Sequence, residues 1–151
     1  MPARRAKHFS PRARVSARRS AVQAYYQWLM NKQPMAALIR EFEADRSEIK
    51  KADKEYFHEL LQGMSSYAGE LEALLAPLLD RPLTEIDLVE RAILTLGLYE
   101  LAYHPDLPWR VVINEAVELA KMFGAEQSHK YINGVLDQAA RQLRAVEIAA
   151  G

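Results

Sequence analysis

Apolar residues recur at helical spacing along almost the whole chain, and nowhere alternate as in a strand bounded by hairpin turns. Val22, Tyr25, Tyr26 and Leu29 stand at i, i+3, i+4 and i+7, which predicts an amphipathic helix from about Val15 to near Asn31, ahead of Pro34. A second, shorter helix is predicted over 35–44 around Leu38, Ile39 and Phe42, followed by a polar connection over 45–52. Asp53 has the chemistry of an N-cap for a long third helix. Its stripe is Phe57, Leu60, Leu61, Met64, Tyr67, Ala68, Leu71, Leu74, Leu75 and Leu78. Gly63 and Gly69 lie inside that stripe and leave two readings open, a close helix crossing or a bend. Pro77 kinks or ends the helix, and Pro82 opens a short helical turn with Thr84 as its candidate cap.

Asp87 precedes the most apolar segment, 88–103, where apolar residues cover nearly the full circumference. Such a helix is normally central. His104-Pro105 ends it and Pro108 suits the first turn of the next helix, whose stripe is Ile113, Ala116, Val117 and Ala120. Gly124 supplies a left-handed stop, and the last helix carries Ile132, Val135, Leu136, Ala139, Leu143 and Val146. The fold class is all-α, with six or seven helices and no repeat of 20–50 residues.

A chain of 151 residues is one domain, or two small bundles sharing a core, and at this size no disulfide or metal staple is required. Cysteine is absent, which excludes a thiol nucleophile and any cysteine-ligated metal, and which fits a reducing compartment such as the cytoplasm. No apolar run is long enough to cross a membrane, and no secretory leader precedes the first helix.

The formal net charge of zero hides an asymmetry. Residues 1–20 hold seven basic side chains, six of them arginine, and no acid; the rest hold 13 basic and 20 acidic residues, a net of −7. A basic arm over residues 1–14, disordered, on an acidic body over 15–147 is a layout that binds polyanions, and arginine suits bidentate phosphate recognition.

A catalytic reading finds little to build on. There is no phosphate loop, no dinucleotide fingerprint and no histidine pair at metal-ligand spacing, so neither cofactor nor metal is expected and the chain does not read as an enzyme. Two constellations remain. Arg12, Arg19, Gln23 and Tyr26 fall near one face if the first helix extends back to residue 12, beside Tyr25 and Trp28, rings that serve either the core or base stacking. Phe123-Gly124-Ala125 leads into Ser128-His129-Lys130-Tyr131, a glycine turn with polar donors and an aromatic at a helix N-terminus, a place that favours phosphate and equally suits an ordinary helix start.

The stretches RRSAVQAYYQW (18–28), VERAILTLGLYEL (89–101) and VINEAVELAKMFGAEQSHKYINGVLD (112–137) resemble the NusB family of transcription antitermination factors, over roughly residues 15–144. The resemblance implies two small packed helical bundles and no catalysis. It implies binding to the boxA element of ribosomal RNA leader transcripts, a single-stranded RNA, together with NusE, a small-subunit ribosomal protein. Other Nus factors and RNA polymerase are engaged indirectly. By the same resemblance Arg12, Arg14, Arg18 and Arg19, with Gln23, face RNA. So do Phe123, His129, Lys130 and Tyr131, with Tyr131 as the ring chosen to stack. Tyr26 and Glu90 face NusE. Two positions depart from the family pattern: Arg19 stands where relatives often have an acid and Gln127 where some have an aspartate, and both changes favour attraction for phosphate.

Two other classes were weighed. A NusB-like domain also fronts some ribosomal RNA cytosine methyltransferases, but these 151 residues hold no methyl-donor domain and no cysteine. The other is a helical protein-interaction module without RNA, including one that forms a homodimer.

Overall fold

The computed structural model describes residues 11–45, 53–123 and 127–151, without the side chains of residues 11–13 and 45. Most of the basic arm, the connection 46–52 and the Gly124 stop lie outside the described residues. Those described contain eight α-helices and no strand: α1 (Pro11–Asn31), α2 (Met35–Asp45), α3 (Lys54–Ser66), α4 (Ala68–Leu75), α5 (Leu88–Tyr103), α6 (Trp109–Phe123), α7 (Ser128–Leu143) and α8 (Ala145–Ala150). Single 3-10 turns cover Ala76–Leu78 and Leu83–Glu85. The count exceeds six or seven because two helices expected to be continuous are each broken once. The chain divides into two compact units, Met1–Ser65 and Ser66–Gly151.

In the first unit α1 packs on α2 through Val22 and Tyr25 on one side and Leu38, Ile39 and Phe42 on the other, all buried. Helix α1 starts at Pro11, four residues ahead of the point where its apolar stripe begins, and proline is well suited to a first turn. It stops because Lys32 takes a left-handed φ of 55° while its N–H still donates to Trp28 O at 2.8 Å. Asp53 caps α3, accepting from Tyr56 N at 3.1 Å, and Phe57, Leu60, Leu61 and Met64 form its buried face.

In the second unit α5, α6 and α7 pack on one another and α4 lies on α5. Asp87 caps α5 by accepting from Val89 N at 3.0 Å and Glu90 N at 3.2 Å. Every residue from Ala92 to Leu101 is buried, so α5 is central as its pattern predicts. Gly97 lets α7 approach closely: a Cβ there would lie 2.8 Å from Leu136 Cδ1. Arg91 donates to Glu72 at 2.7 Å and ties α5 to α4. Pro77 sits in the 3-10 turn that ends α4, and Pro82 precedes the next; Thr84 makes no capping bond there.

Two expectations need correction. The stripe through Tyr67 assumes one helix, but the helix breaks at Tyr67 itself (φ −103°, ψ 19°), between Gly63 and Gly69, and the ring emerges at 40% exposure. The last stripe assumes that α7 runs on to Val146. It ends at Leu143, Arg144 breaks the helix (φ −125°, ψ 34°), and Val146 in α8 is 84% exposed.

Arg144 explains that break. Its side chain turns inward, and all five of its N–H groups are used. Nε donates to Leu101 O at 2.8 Å, and one terminal nitrogen to Glu100 O and His104 O at 3.3 and 2.8 Å. The other donates to Leu107 O at 2.8 Å and Glu147 Oε1 at 2.5 Å. The guanidinium thus satisfies the Leu101 carbonyl at the C-terminus of α5, and adds a second donor to the Glu100 and His104 carbonyls, which also accept from His104 N and Leu107 N. Glu147 Oε2 in turn accepts from Trp109 N, in the first turn of α6, at 3.0 Å.

Candidate nucleic-acid and partner surfaces

Two stripes wind along α1, and they part the arginines. Arg14 and Arg18 continue the core stripe of Val22 and Tyr25 back toward the N-terminus at i, i+4 spacing, so Arg18 is buried with it and Arg14 half-buried. Arg18 is only 4% exposed. Both guanidiniums lie over the Tyr56 ring, Arg14 at 4.3 Å and Arg18 at 5.6 Å from its centroid. The Asp53 cap fixes the Tyr56 backbone beneath them. Burial pushes the Asp53 carboxyl up, against the opposing pull of the Tyr56 N–H and the Arg14 charge. The second stripe, Arg19, Gln23 and Tyr26, is half-buried. Arg12 falls on that stripe by position, and its side chain lies outside those described. Of the two aromatics with an open role, Tyr25 is core and Trp28 is half-buried against it, 5.2 Å between centroids, with Lys32 over its ring at 4.6 Å.

The other candidates lie in the second unit, on α6 and at the start of α5 and α7. Phe123 ends α6, half-buried. Helix α7 opens at Ser128 with no side-chain cap from Gln127 before it, and the Ser128 hydroxyl donates to Glu90 Oε2 at 2.5 Å. His129 is half-buried and Lys130 exposed.

Tyr131 is held by groups that spacing along the sequence could not reveal. Its hydroxyl donates to Asp80 Oδ1 at 2.9 Å and accepts from Asp80 N at 3.3 Å. Arg81, itself bonded to the Asp80 carboxylate at 2.8 Å, lies 5.0 Å from the Tyr131 ring centroid. One ring face is therefore occupied by an internal cation. Arg81 first and Tyr131 second hold the Asp80 carboxyl below its usual range, while burial pushes the Tyr131 phenol up. Beside this ring is an open depression lined by Leu78, Lys130, Gly134, Val135 and Gln138.

Among the described residues no group of three or more histidines and carboxylates could hold a metal ion, and no helix is long and apolar enough to cross a membrane.

The sequence profile of the NusB family matches residues 15–141. The chain belongs to the NusB family. The transcription antitermination protein NusB of Marinomonas sp. (strain MWYL1) is 50% identical over 138 residues, 91% of this chain and 79% of its own length. NusB of T. maritima has the same fold, with a TM-score of 0.74 at 29% identity over 88% of this chain and 92% of that one. A crystal structure of the antitermination factors NusB and NusE in complex with double-stranded RNA contains a chain that matches at TM-score 0.77 and 23% identity, covering 88% and 99% of the two chains; the likeness is one of fold. The NusB-family match takes in most of both units, extending from α1 into α7.

Proposed function

We propose that this chain is a transcription antitermination factor that binds the boxA element of ribosomal RNA leader transcripts together with NusE, suppresses premature termination, and catalyses no reaction. The observation that carries this reading is the 50% identity to a transcription antitermination protein across 91% of the chain. A matching fold found with NusE and RNA supports it. The site of action is the cytoplasm, where other Nus factors and RNA polymerase join through the complex.

On this reading Arg12, Arg14 and Arg19 contact phosphates, and Gln23 lies beside them. Arg18, buried on Tyr56, supports that surface from beneath. Lys130 and the first turn of α7 attract a phosphate, and the ring face of Tyr131 turned away from Arg81 stacks a base, with Phe123 and His129 alongside. Tyr26 and Glu90 meet NusE, whose approach is favoured by a body carrying 20 acids against 13 bases beyond residue 20.

The test titrates single-stranded boxA RNA, a scrambled strand and a duplex with the protein, with and without NusE, at two salt concentrations. Each phosphate contact on a single strand adds about −0.7 to the slope of log K against log salt, so three arginines give about −2. The triple variant Arg12→Ala, Arg14→Ala, Arg19→Ala loses that slope. Equal affinity for scrambled RNA in the presence of NusE refutes boxA recognition. Calorimetry with NusE shows Glu90→Lys binding more weakly than the wild type; equal affinity removes Glu90 from that surface.

A further inference from the structure

Three partly exposed rings of this protein are covered by its own cations: Lys32 lies over Trp28, Arg81 over Tyr131 and Arg110 over Trp109. The buried Tyr56 ring likewise carries Arg14 and Arg18. One pair is different. Tyr67 and Tyr103 stack at 4.5 Å with 14° between planes, and each is 40% exposed. Among the described residues no cation lies over either ring. What accompanies them is a carboxylate: the Tyr103 hydroxyl donates to Glu70 Oε1 at 3.2 Å.

The arrangement has a direction. Behind Tyr103 stands Tyr99, buried, with centroids 5.3 Å apart, and behind Tyr99 the ring of His104 meets it edge-on at 5.5 Å. Tyr103 therefore meets two rings, Tyr67 and Tyr99, while Tyr67 stacks only on Tyr103 among the described aromatic residues and stays 40% exposed. The break between α3 and α4 turns Tyr67 outward, and Gly69, with open space where a side chain would lie, leaves the rim beside Glu70 low. The tyrosine column thus ends in one electron-rich face next to an oriented carboxylate with no cation of its own.

We propose that Tyr67, Tyr103 and Glu70 form a docking site for a basic segment of a partner protein, with an arginine side chain laid on the Tyr67 ring and bonded to Glu70. A guanidinium is planar, stacks on an aromatic face and carries donors at its edge, so it meets ring and carboxylate together. The surrounding charge agrees: residues 66–151 contain thirteen acids and seven basic residues. The same carboxylate disfavours a nucleic acid, because a base stacked on Tyr67 would bring its phosphates toward Glu70. This site is independent of the RNA-binding reading, since none of its three residues belongs to the surfaces assigned to RNA or to NusE.

The experiment follows backbone amide shifts of the full chain by NMR. Three probes are titrated: a capped five-residue peptide alternating glycine and arginine, the same peptide with citrulline for arginine, and a uridine oligonucleotide. The arginine peptide shifts Tyr67, Gly69, Glu70 and Tyr103, and the citrulline peptide does not. Tyr67→Ala weakens the arginine peptide about two- to fivefold, as expected for an exposed cation–π contact, and Tyr67→Phe retains it. Glu70→Gln weakens it and flattens its salt dependence. All three side chains are exposed, and the unperturbed remainder of the spectrum verifies that each variant is folded. Equal shifts with arginine and citrulline, or shifts confined to other acidic surfaces, overturn the proposal. Shifts at these four residues with the oligonucleotide alone overturn it in favour of RNA.

Discussion

The Ser128 hydroxyl donates to Glu90 Oε2 at 2.5 Å, joining two residues 38 positions apart. It links the first turn of α5, proposed to meet NusE, to the first residue of α7, proposed to meet RNA. Ser128 is buried and Glu90 half-buried, so the bond is partly sheltered from water. Ser128→Ala is expected to cost about 1.5–3 kcal/mol, the range for a hydrogen bond to a charged group. Urea unfolding of Ser128→Ala, Glu90→Gln and the double variant checks it: the two single losses sum to more than the double if the bond is the shared cause. Strict additivity counts against the link.

Arg144→Met preserves bulk but leaves the carbonyls of Leu101 and Leu107 without that donor, those of Glu100 and His104 with only the backbone N–H groups of His104 and Leu107, and Glu147 without its cation. Leaving a buried carbonyl without its donor costs about 1–3 kcal/mol. Arg144→Lys restores the charge but has only three donors on a single nitrogen, so it recovers a fraction of that loss. Chemical denaturation of the three proteins tests the order arginine, lysine, methionine; equal stabilities would show the network to be dispensable.

The Trp109 N–H first, and Arg144 second, hold the Glu147 carboxyl below its usual value of 4.5. The unfolded chain therefore takes up this proton at a higher pH than the folded one. The stabilisation is fully present above about pH 4.5 and fades as pH falls below it. Glu147→Gln is expected to flatten the acid limb of stability against pH, measured by urea unfolding between pH 3 and pH 7. A limb of unchanged steepness excludes Glu147 as a contributor.

Leu96 is buried in the middle of α5. Leu96→Ala is expected to destabilise by about 2–5 kcal/mol, combining lost burial with the cavity left between tightly packed helices. Calorimetric melting decides: a loss below 1 kcal/mol means that α5 is not the centre of its unit.

The features legible in the sequence are those whose causes are local. Asp53 caps as expected, and Asp87 caps α5 by the same local chemistry, because a cap is a side chain reaching its own backbone two or three residues on. Pro77 and Pro105 act through their own rings. The central place of α5 follows from its apolar circumference. The features that escaped depend on distant partners. Val146 leaves the stripe because Arg144 bonds to carbonyls about 40 residues earlier. Tyr131 is pinned by Asp80, 51 residues away. The burial of Arg18 had a visible signal, its i, i+4 relation to Val22 on the core stripe, yet what it lies on, the Tyr56 ring, is a matter of tertiary packing. Tyr67 was misplaced by a helix break that coincides with neither of the glycines offered as its cause.

The Arg144 network also imposes an order in time on the growing chain. Helix α5 leaves the ribosome some forty residues before the side chain that closes its C-terminal end. Until residue 144 emerges, the carbonyl of Leu101 lacks this donor and those of Glu100 and His104 have only their local backbone N–H partners, and until residue 147 emerges the guanidinium lacks the Glu147 carboxylate. Folding of the second unit is thus completed by its last-made segment, so a polypeptide halted within α7 carries the apolar surface of α5 without the bonds that seal it.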